Sequence, residues 1–565
     1  MHVVTRSCCS DAACVAVCPA NCIHPRPDEP GFGSAEMLYV DPATCVDCGA
    51  CADVCPVDAV KPVHELTPRD LPFVELNARY YDDPAHQGYV RALPTRVPAT
   101  SVVGRTLRVA IVGSGPAACY AAENLLTRTD SDVEVNIFER LPTPWGLVRF
   151  GVAPDHPDTK SVSRSFERLS SLGATFYFGV EVGRDVSVDE LTAHHHAVVY
   201  AVGAANSRRL DIPGSDLTGV HSAQEFVAWY NGHPDFVDRE FDLSAERAIV
   251  IGNGNVALDV ARILGSSLAR LAETDIADHT LAALASSNIR EVVVLARRGP
   301  ADAAYTLSEF IALRDTSGIR LRVEDRDFAI GPEVRSAIAA THSAVEVAKL
   351  EASEQLMHAG AYGGNSVTLR YLTNPVALLG DQQVSGIRVE CNEADVGPGG
   401  DVFIRPTGLT EDIDCGLVFY AIGYAGSPIA GLPFDGDRMV IPNDEGRVRE
   451  ALSGKAVSGT YVTGWIKRGP TGVIGSNKAC AQETVNSLIS DYQAGVLPEP
   501  ALPSEAVPTL VERATPHAFG YEGWQAIDRH ERARGKRANR PRRKLVRLDD
   551  LTATALTYRH PSVPR

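Results

Sequence analysis

The chain has 565 residues, 44% of them apolar and 22% charged, which is ordinary globular usage and excludes a disordered or collagen-like chain; the length predicts two to four domains. A formal net charge of −17 excludes a general nucleic-acid binder, which needs a basic footprint. No run reaches the roughly 18 apolar residues that span a bilayer as a helix, and the start, MHVVTRSCCS, lacks an apolar leader, so a cytoplasmic protein with no membrane partner is expected.

Residues 1–63 form a cysteine-rich block too poor in aliphatic residues to fold without a staple. Cys8, Cys9, Cys14, Cys18, Cys22, Cys45, Cys48, Cys51 and Cys55 crowd into it, against only Cys119, Cys391, Cys415 and Cys480 beyond. Without an export signal such crowding reads as metal ligation, and the four distant thiols as core residues. Cys45-x2-Cys48-x2-Cys51-x3-Cys55-Pro56 has the spacing in which three close thiolates hold one iron-sulfur cubane and the fourth ligates a second cluster. A zinc site needs two well-separated C-x2-C pairs and leaves Pro56 unexplained. Upstream, Cys8-x2-Asp11-x2-Cys14-x3-Cys18-Pro19 repeats the spacing with Asp in place of the second Cys. Cross-ligation then assigns Cys18, Cys45, Cys48 and Cys51 to a [4Fe-4S] cluster, and Cys8, Cys14 and Cys55 to the other. A carboxylate is a hard ligand for sulfide-bridged iron, so the Asp11 corner predicts a [3Fe-4S] cluster or an oxygen-ligated second [4Fe-4S] cluster. Cys9 is an alternative to Cys8 that fits the spacing less well, and Cys22 reads as a buried neighbouring thiol. The block is acidic: Arg6, Arg26 and Lys61 face Asp11, Asp28, Glu29, Glu36, Asp41, Asp47, Asp53 and Asp58.

Residues 64–104, broken by Pro68, Pro72, Pro84, Pro94 and Pro98, read as a connector over the surface. A β-α-β pattern follows, with strands at 107–112 and 133–138 around a helix at 116–126. Gly113-Ser-Gly115-Pro-Ala117-Ala118 sits at its strand-to-helix turn, where such a motif lets backbone approach a pyrophosphate. The second strand ends in Glu139, an acceptor for an unphosphorylated ribose, so this half suits FAD or NAD. A second unit has strands at 248–251 and 291–295 around a helix at 256–264. Its turn is Gly252-Asn253-Gly254-Asn255-Val256-Ala257, but its strand ends in Arg297-Arg298, charge-assisted donors suited to the 2′-phosphate of NADPH. The phrases Val199-Tyr-Ala-Val-Gly203 and Phe419-Tyr-Ala-Ile-Gly423 echo each other and close the two units. The predicted fold class is therefore α/β, with two Rossmann-like dinucleotide-binding domains, for FAD and NADP, behind a small α+β ferredoxin-like domain. The expected boundaries are 105–208 with 417–565 for FAD and 209–416 for NADP.

Three further runs are candidates for function. Pro142-Thr-Pro-Trp-Gly-Leu-Val-Arg149 opens a Pro- and Gly-rich loop ending near Asp155 and His156, the pair expected to orient flavin or relay a proton. Hydride transfer itself needs positioning more than a general base. Gly464-Trp465 to Gly472-Val473-Ile474-Gly475 joins a strand to a helix whose N-terminus suits an anionic flavin edge. The basic tail from Arg529 to Arg547 reads as a solvated segment, with docking of an acidic ferredoxin or nucleic-acid contact as rivals. His194-His195-His196 reads as a solvated loop.

Pro142 to Arg149, the Gly252 to Asp259 run, Arg297 to Pro300 and Gly464 to Gly475 together resemble the adrenodoxin-reductase-like ferredoxin-NADP reductases. With the cysteine block, which resembles seven-iron bacterial ferredoxins, the chain is similar to the actinobacterial-type fusion of the two. The resemblance implies FAD contacts at Ala117, Glu139, Leu147, Val182, Trp465 and Gly472 to Ile474. It implies NADP contacts at Arg208, Asn253 to Val256, Arg297, Arg298, Glu309 and Gly472. The expected activity is NADPH-dependent ferredoxin reduction through FAD and the chain's own clusters, to a ferredoxin or another one-electron acceptor. Rival readings are an electron-input subunit of a glutamate-synthase-like enzyme and an iron-sulfur redox sensor; a thioredoxin-type reductase is disfavoured because the flavin half has no C-x2-C.

Overall fold

The computed structural model describes residues 1–83, 86, 106–128, 133–324, 328, 330–357 and 364–557. The cysteine block holds two short antiparallel pairs, His2–Val4 against Val60–Pro62 and Ile23–His24 against Tyr39–Val40. Its short helices Ala13–Val17 and Ala50–Asp53 carry Cys14 and Cys51 inward. The expected surface connector is in part a helix, Pro72–Tyr80. Pro72 does not break it, because at the first helical position the missing N–H is one the helix would leave unpaired anyway. The helix buries Phe73, Leu76, Asn77 and Tyr80. Asn77 accepts from the Val40 N–H at 2.9 Å and donates to the Val4 carbonyl at 2.9 Å, so it staples both strand pairs. Pro84, Pro94 and Pro98 lie outside the described residues.

The first sheet runs in the spatial order 443–444, 447–449, 456–462, 197–200, 107–112, 133–139, 174–178, its last five strands parallel. The second is wholly parallel, in the order 220–222, 417–420, 247–251, 291–295, 365–370, 319–323. Both faces of these sheets are covered, which is why their strands read as near-continuous aliphatic runs. Strand Leu417–Tyr420 pairs with Arg247–Ile251, so residue 417 still belongs to the second sheet and the expected boundary there is corrected. The chain returns to the first sheet through the ribbon Asn206–Ser207 with Tyr424–Ala425. The two echoing phrases occupy equivalent places, each beside the strand that leads into a glycine turn.

Three further expectations change. Cys119, Cys415 and Cys480 are buried, but Cys391 is only half-buried. His194, His195 and His196 are buried rather than solvated. His194 ends the helix Val188–His194, the His195 ring pairs with the Leu191 carbonyl at 2.8 Å and with Asn136 at 3.1 Å, and burial lowers its pKa to about 4. The basic tail is largely a strap, because long-range carboxylates draw its charges inward. Glu531, fully buried, accepts from Arg149 at 2.6 and 3.0 Å, from Arg542 at 2.8 Å and from the Leu545 N–H at 2.8 Å. Lys544 is buried against Asp275 at 3.1 Å, and Arg540 against Asp278 at 2.7 Å. The strap thereby ties the loop carrying Arg149 to residues 274–278 beside the second sheet.

Burial pushes the Glu531 carboxyl up, but Arg149 and Arg542 outweigh it and hold it below its usual value of 4.5. Glu531→Gln leaves Arg149 buried without its anion and is expected to cost about 3–5 kcal/mol at neutral pH. Because the folded-state pKa is depressed, that stabilisation is present above about pH 4.5 and is lost as the pH falls through the folded value. Denaturant midpoints of wild type and variant, measured from neutral pH downward, are expected to converge once the pH has fallen below the folded-state value.

Candidate functional site

The two glycine turns are built by the same device. Gly113 has φ +98°, and a Cβ there would lie 2.6 Å from the Ala201 carbonyl; Gly252 has φ +107°, and a Cβ would lie 2.5 Å from the Ala421 carbonyl. Only glycine tolerates both the conformation and the approach. Each turn feeds a helix, Pro116–Arg128 or Asn255–Gly265, whose first N–H groups are left for an anion.

Around the first turn the structure gathers most of the expected flavin residues. Gly146 lies against Gly115, a Cβ on it being 3.1 Å from the Gly115 Cα, and a Cβ on Gly464 would meet the Ala117 side chain at 2.6 Å. The Trp145 N–H donates to the Ser114 carbonyl at 3.1 Å, which brings the loop with Leu147 over the turn. Glu139 accepts from the Ser114 hydroxyl at 2.6 Å and the Leu141 N–H at 2.9 Å, and burial pushes its carboxyl above 4.5. The Trp465 indole donates to the Thr471 carbonyl at 3.1 Å, fixing the turn that carries Gly472, Val473 and Ile474. Val182 packs in the apolar cluster of Val112, Phe138 and Ile466, beside the strand that leads into this turn.

At the second turn Asn255 accepts from the Thr306 N–H at 2.8 Å, and Asn253 from the Ala304 N–H at 3.5 Å, locking turn and 300s loop together. Gly254 and Val256 flank these residues. Arg297 and Arg298 follow the strand Glu291–Leu295, both exposed, and among the described residues neither side chain is claimed by an ion pair. Arg208 is exposed on the ribbon between the sheets, its side chain 3.7 Å from where a Gly423 Cβ would be.

Between the turns lies a buried charge cluster centred on Arg262, which donates to Asp155 at 2.8 and 3.1 Å and to Asp259 at 2.6 Å. Glu309 lies 3.6 Å from both Arg262 and His156, and Arg270 reaches Asp155 at 3.3 Å. Burial first, then the nearby Arg262 charge, holds His156 well below 6.5. Burial and the Asp259 charge push Glu309 up to about 7 despite Arg262 and Arg6. The expected His156, Asp155 and Glu309 are thus brought together. Sequence reasoning passed over Arg262, yet a signal existed: it is the one cation in the apolar run 257–264 of its helix, and an arginine buried there needs carboxylate partners.

The cysteines separate into two sets. The charges of Cys55 and Asp11 bear on Cys8, and those of Cys8, Asp11, Cys55 and, last, Cys51 on Cys14, which lies nearest the other set. Burial pushes Cys8 up to about 11, and its sulfur accepts the Ser10 N–H at 3.4 Å, as that of Cys55 accepts the Ala59 N–H at 3.2 Å. Cys18 lies 3.4 Å from Cys22, with Cys45 and Cys51 beside them, while Cys48 is exposed. Cys9 lies in the first set, Cys22 in the second. The Asp11 carboxylate accepts from the Ala13 N–H at 3.2 Å and pairs with Lys478 at 3.7 Å.

The block sits against both sheet domains. Glu36 accepts from the Leu307 N–H at 2.7 Å and pairs with Lys349 at 2.5 Å. On the other side the Gly475 N–H donates to the Cys9 carbonyl at 2.6 Å and Ser161 to the Pro56 carbonyl at 3.2 Å.

Sheet order, paired glycine turns and grouped thiols define a pyridine-nucleotide flavoprotein joined to a two-cluster iron-sulfur domain. Two families match accordingly: pyridine nucleotide-disulphide oxidoreductases over residues 107–299, and the 4Fe-4S dicluster domain over residues 7–59. The chain is 47% identical over 98% of its length to probable ferredoxin/ferredoxin–NADP reductases of Mycobacterium bovis and Mycobacterium tuberculosis, covering 95% of each. It is 42% identical to the NADPH-ferredoxin reductase FprA of Mycobacterium leprae, over 78% of this chain and 97% of that one. The solved structure of Mycobacterium tuberculosis FprA in complex with NADPH superposes with a TM-score of 0.73 at 41% identity, over 80% of this chain and all of that one. The chain belongs to the ferredoxin/ferredoxin–NADP reductase family.

The Glu309 carboxyl, neutral below about pH 7 and charged above it, would add a like charge beside an anionic dinucleotide at alkaline pH. The KM for NADPH is therefore expected to rise as the pH passes through 7, and Glu309→Gln to flatten that rise. A steady-state pH series on both proteins checks it.

Proposed function

We propose that the enzyme oxidises NADPH at the Gly252 turn, holds FAD at the Gly113 turn, and releases electrons singly through iron-sulfur clusters in the N-terminal block to a ferredoxin or another one-electron acceptor protein. In this reading residues 1–81 form the cluster domain, the first sheet with the strap forms the FAD domain, and 209–423 form the NADP domain. The cradles fit their groups: each glycine turn keeps clear the space a Cβ would fill, and each thiol set gathers cysteine sulfurs, the donors that iron-sulfur clusters take. When bound, the flavin supplies the conversion of a two-electron hydride into single electrons, and the clusters carry those electrons one at a time.

The protein's own residues position. Gly113, Gly115 and Ala117 admit the pyrophosphate, Glu139 accepts from the ribose, and Leu147, Trp465 and the 472–474 turn enclose the ring. The buried Arg262 cluster positions His156, kept neutral by burial and the Arg262 charge, and Glu309, which changes charge near pH 7, where nicotinamide and flavin would meet. Arg297 and Arg298, exposed and without ion-pair partners among the described residues, supply donors for a 2′-phosphate. The observation that carries the reading is the seating of the cysteine block on the turn that closes the first cradle, through Cys9 and Gly475.

Replacing both Arg297 and Arg298 by Ala is expected to cost on the order of 2–4 kcal/mol of NADPH preference, with NADH activity nearly unchanged. Unaltered discrimination in a steady-state comparison of the two nucleotides refutes the assignment. Cys8, Cys14 and Cys55 with Asp11 are proposed to hold a [3Fe-4S] cluster, and Cys18, Cys45, Cys48 and Cys51 a [4Fe-4S] cluster. Asp11→Cys is expected to raise the iron content and remove the oxidised-state EPR signal of the former. Identical spectra and iron counts place Asp11 away from the cluster corner.

A further inference from the structure

The two thiol sets do not face the same way, and their orientation assigns them different places along the electron path. The loop bearing Cys8 and Asp11 is sealed against the reductase. Besides the 2.6 Å bond from Gly475 to the Cys9 carbonyl, a Cβ on Gly475 would lie 2.2 Å from the Asp11 nitrogen and 2.3 Å from the Cys9 oxygen. Backbone meets backbone here with no side chain between. Lys478, on the helix Ser476–Gln493 that follows this turn, pairs with Asp11. The run after Cys55 closes the other side: Val57 is 1% exposed and packs with Cys9, Cys8, Cys55 and Ile474 in the apolar cluster of the first sheet.

The loop through Cys48 faces solvent, while Cys51 turns inward and Cys45 is half-buried. Val46 is 65% exposed, Val17 and Val54 are exposed as well, and Cys48 is exposed next to Asp47. Asp53 and Asp58 are exposed, Asp58 with Lys61 3.7 Å away, while Asp47 is engaged by the N-terminal amine at 3.0 Å and by His2 at 2.7 Å. An apolar centre bordered by carboxylates suits a partner with the opposite arrangement, an apolar contact ringed by Lys and Arg.

We propose that the Cys8/Cys14/Cys55 set with Asp11 is the internal station, receiving electrons across the Gly475–Lys478 seam, and that the Cys45–Cys51 loop is the exit, where a basic one-electron acceptor protein docks on Val17, Val46 and Val54 between Asp53 and Asp58. This rests on the flavin occupying the first cradle. Per turnover, NADPH yields NADP+, one proton and two electrons, and the electrons leave singly to two acceptor molecules.

The test uses full-length protein with its flavin and clusters, mixed anaerobically with NADPH, with flavin bleaching followed optically and each cluster by freeze-quench EPR. Lys478→Glu sets two carboxylates against each other across the seam. It is expected to leave flavin bleaching unchanged, to slow cluster filling about fivefold or more, and to alter the EPR line shape only of the centre held by the Asp11 set. Lys478→Arg is expected to restore all three. Asp53→Lys with Asp58→Lys is expected to leave internal filling unchanged, to slow reduction of cytochrome c, a basic one-electron acceptor, about fivefold or more, and to flatten its dependence on salt. A Lys478→Glu protein that perturbs only the Cys45–Cys51 centre, or fills both clusters at the wild-type rate, overturns the order. So does an exit-face variant that still reduces cytochrome c normally. Failure of NADPH to bleach the wild-type flavin would instead count against the functional reading beneath it.

Discussion

Both nucleotide cradles depend on one steric fact: backbone at Gly113 and Gly252 passes over the carbonyl of a neighbouring strand, at Ala201 and Ala421, closer than any side chain permits. That approach lets the strand turn straight into a helix whose first N–H groups point into open space. It also explains the echo between residues 199–203 and 419–423. In each case an alanine just past the end of the neighbouring strand, Ala201 or Ala421, sets its carbonyl beneath the glycine turn. Everything that differs between the two halves, Glu139 in one and Arg297 with Arg298 in the other, is set on this common frame.

The charges between the halves follow a second logic. Arg262 is fully buried, and such a charge is tolerable only where carboxylates surround it. Asp155, Asp259 and Glu309 supply them from a loop, its own helix and the helix Leu307–Arg314. The result is a site whose protonation is governed by neighbours rather than by solvent. Glu531 does the same for the loop after Trp145, drawing Arg149 and Arg542 together.

Much of this was legible from local order along the chain. Thiol spacing, the two glycine turns and the residues ending their second strands are chemistry written between near neighbours, and the structure keeps each in its expected context. What escaped was decided by partners far along the chain. The helix Pro72–Tyr80 is short and Pro-flanked, and its evidence is Asn77 meeting Val4 and Val40. The tail looks solvated because its acidic partners, Asp275 and Asp278, lie more than 250 positions away. The three histidines looked polar, but the strand beginning at Ala197 carries them into the core. The boundary near 417 failed for a topological reason: a strand late in the sequence inserts between the edge strand 220–222 and the strand 247–251.

The grip of the cysteine block on both halves carries a mechanical meaning. Glu36 holds the helix that presents Glu309, while Cys9 holds the turn at Gly475. A body pinned at two points on two different domains acts as a cross-brace, so a hinge motion between the sheets must strain or break one of the pins. The spacing between the two cradles is thereby tied to the seating of the thiol loops, and a loosening at either pin would be felt at the other as lost alignment.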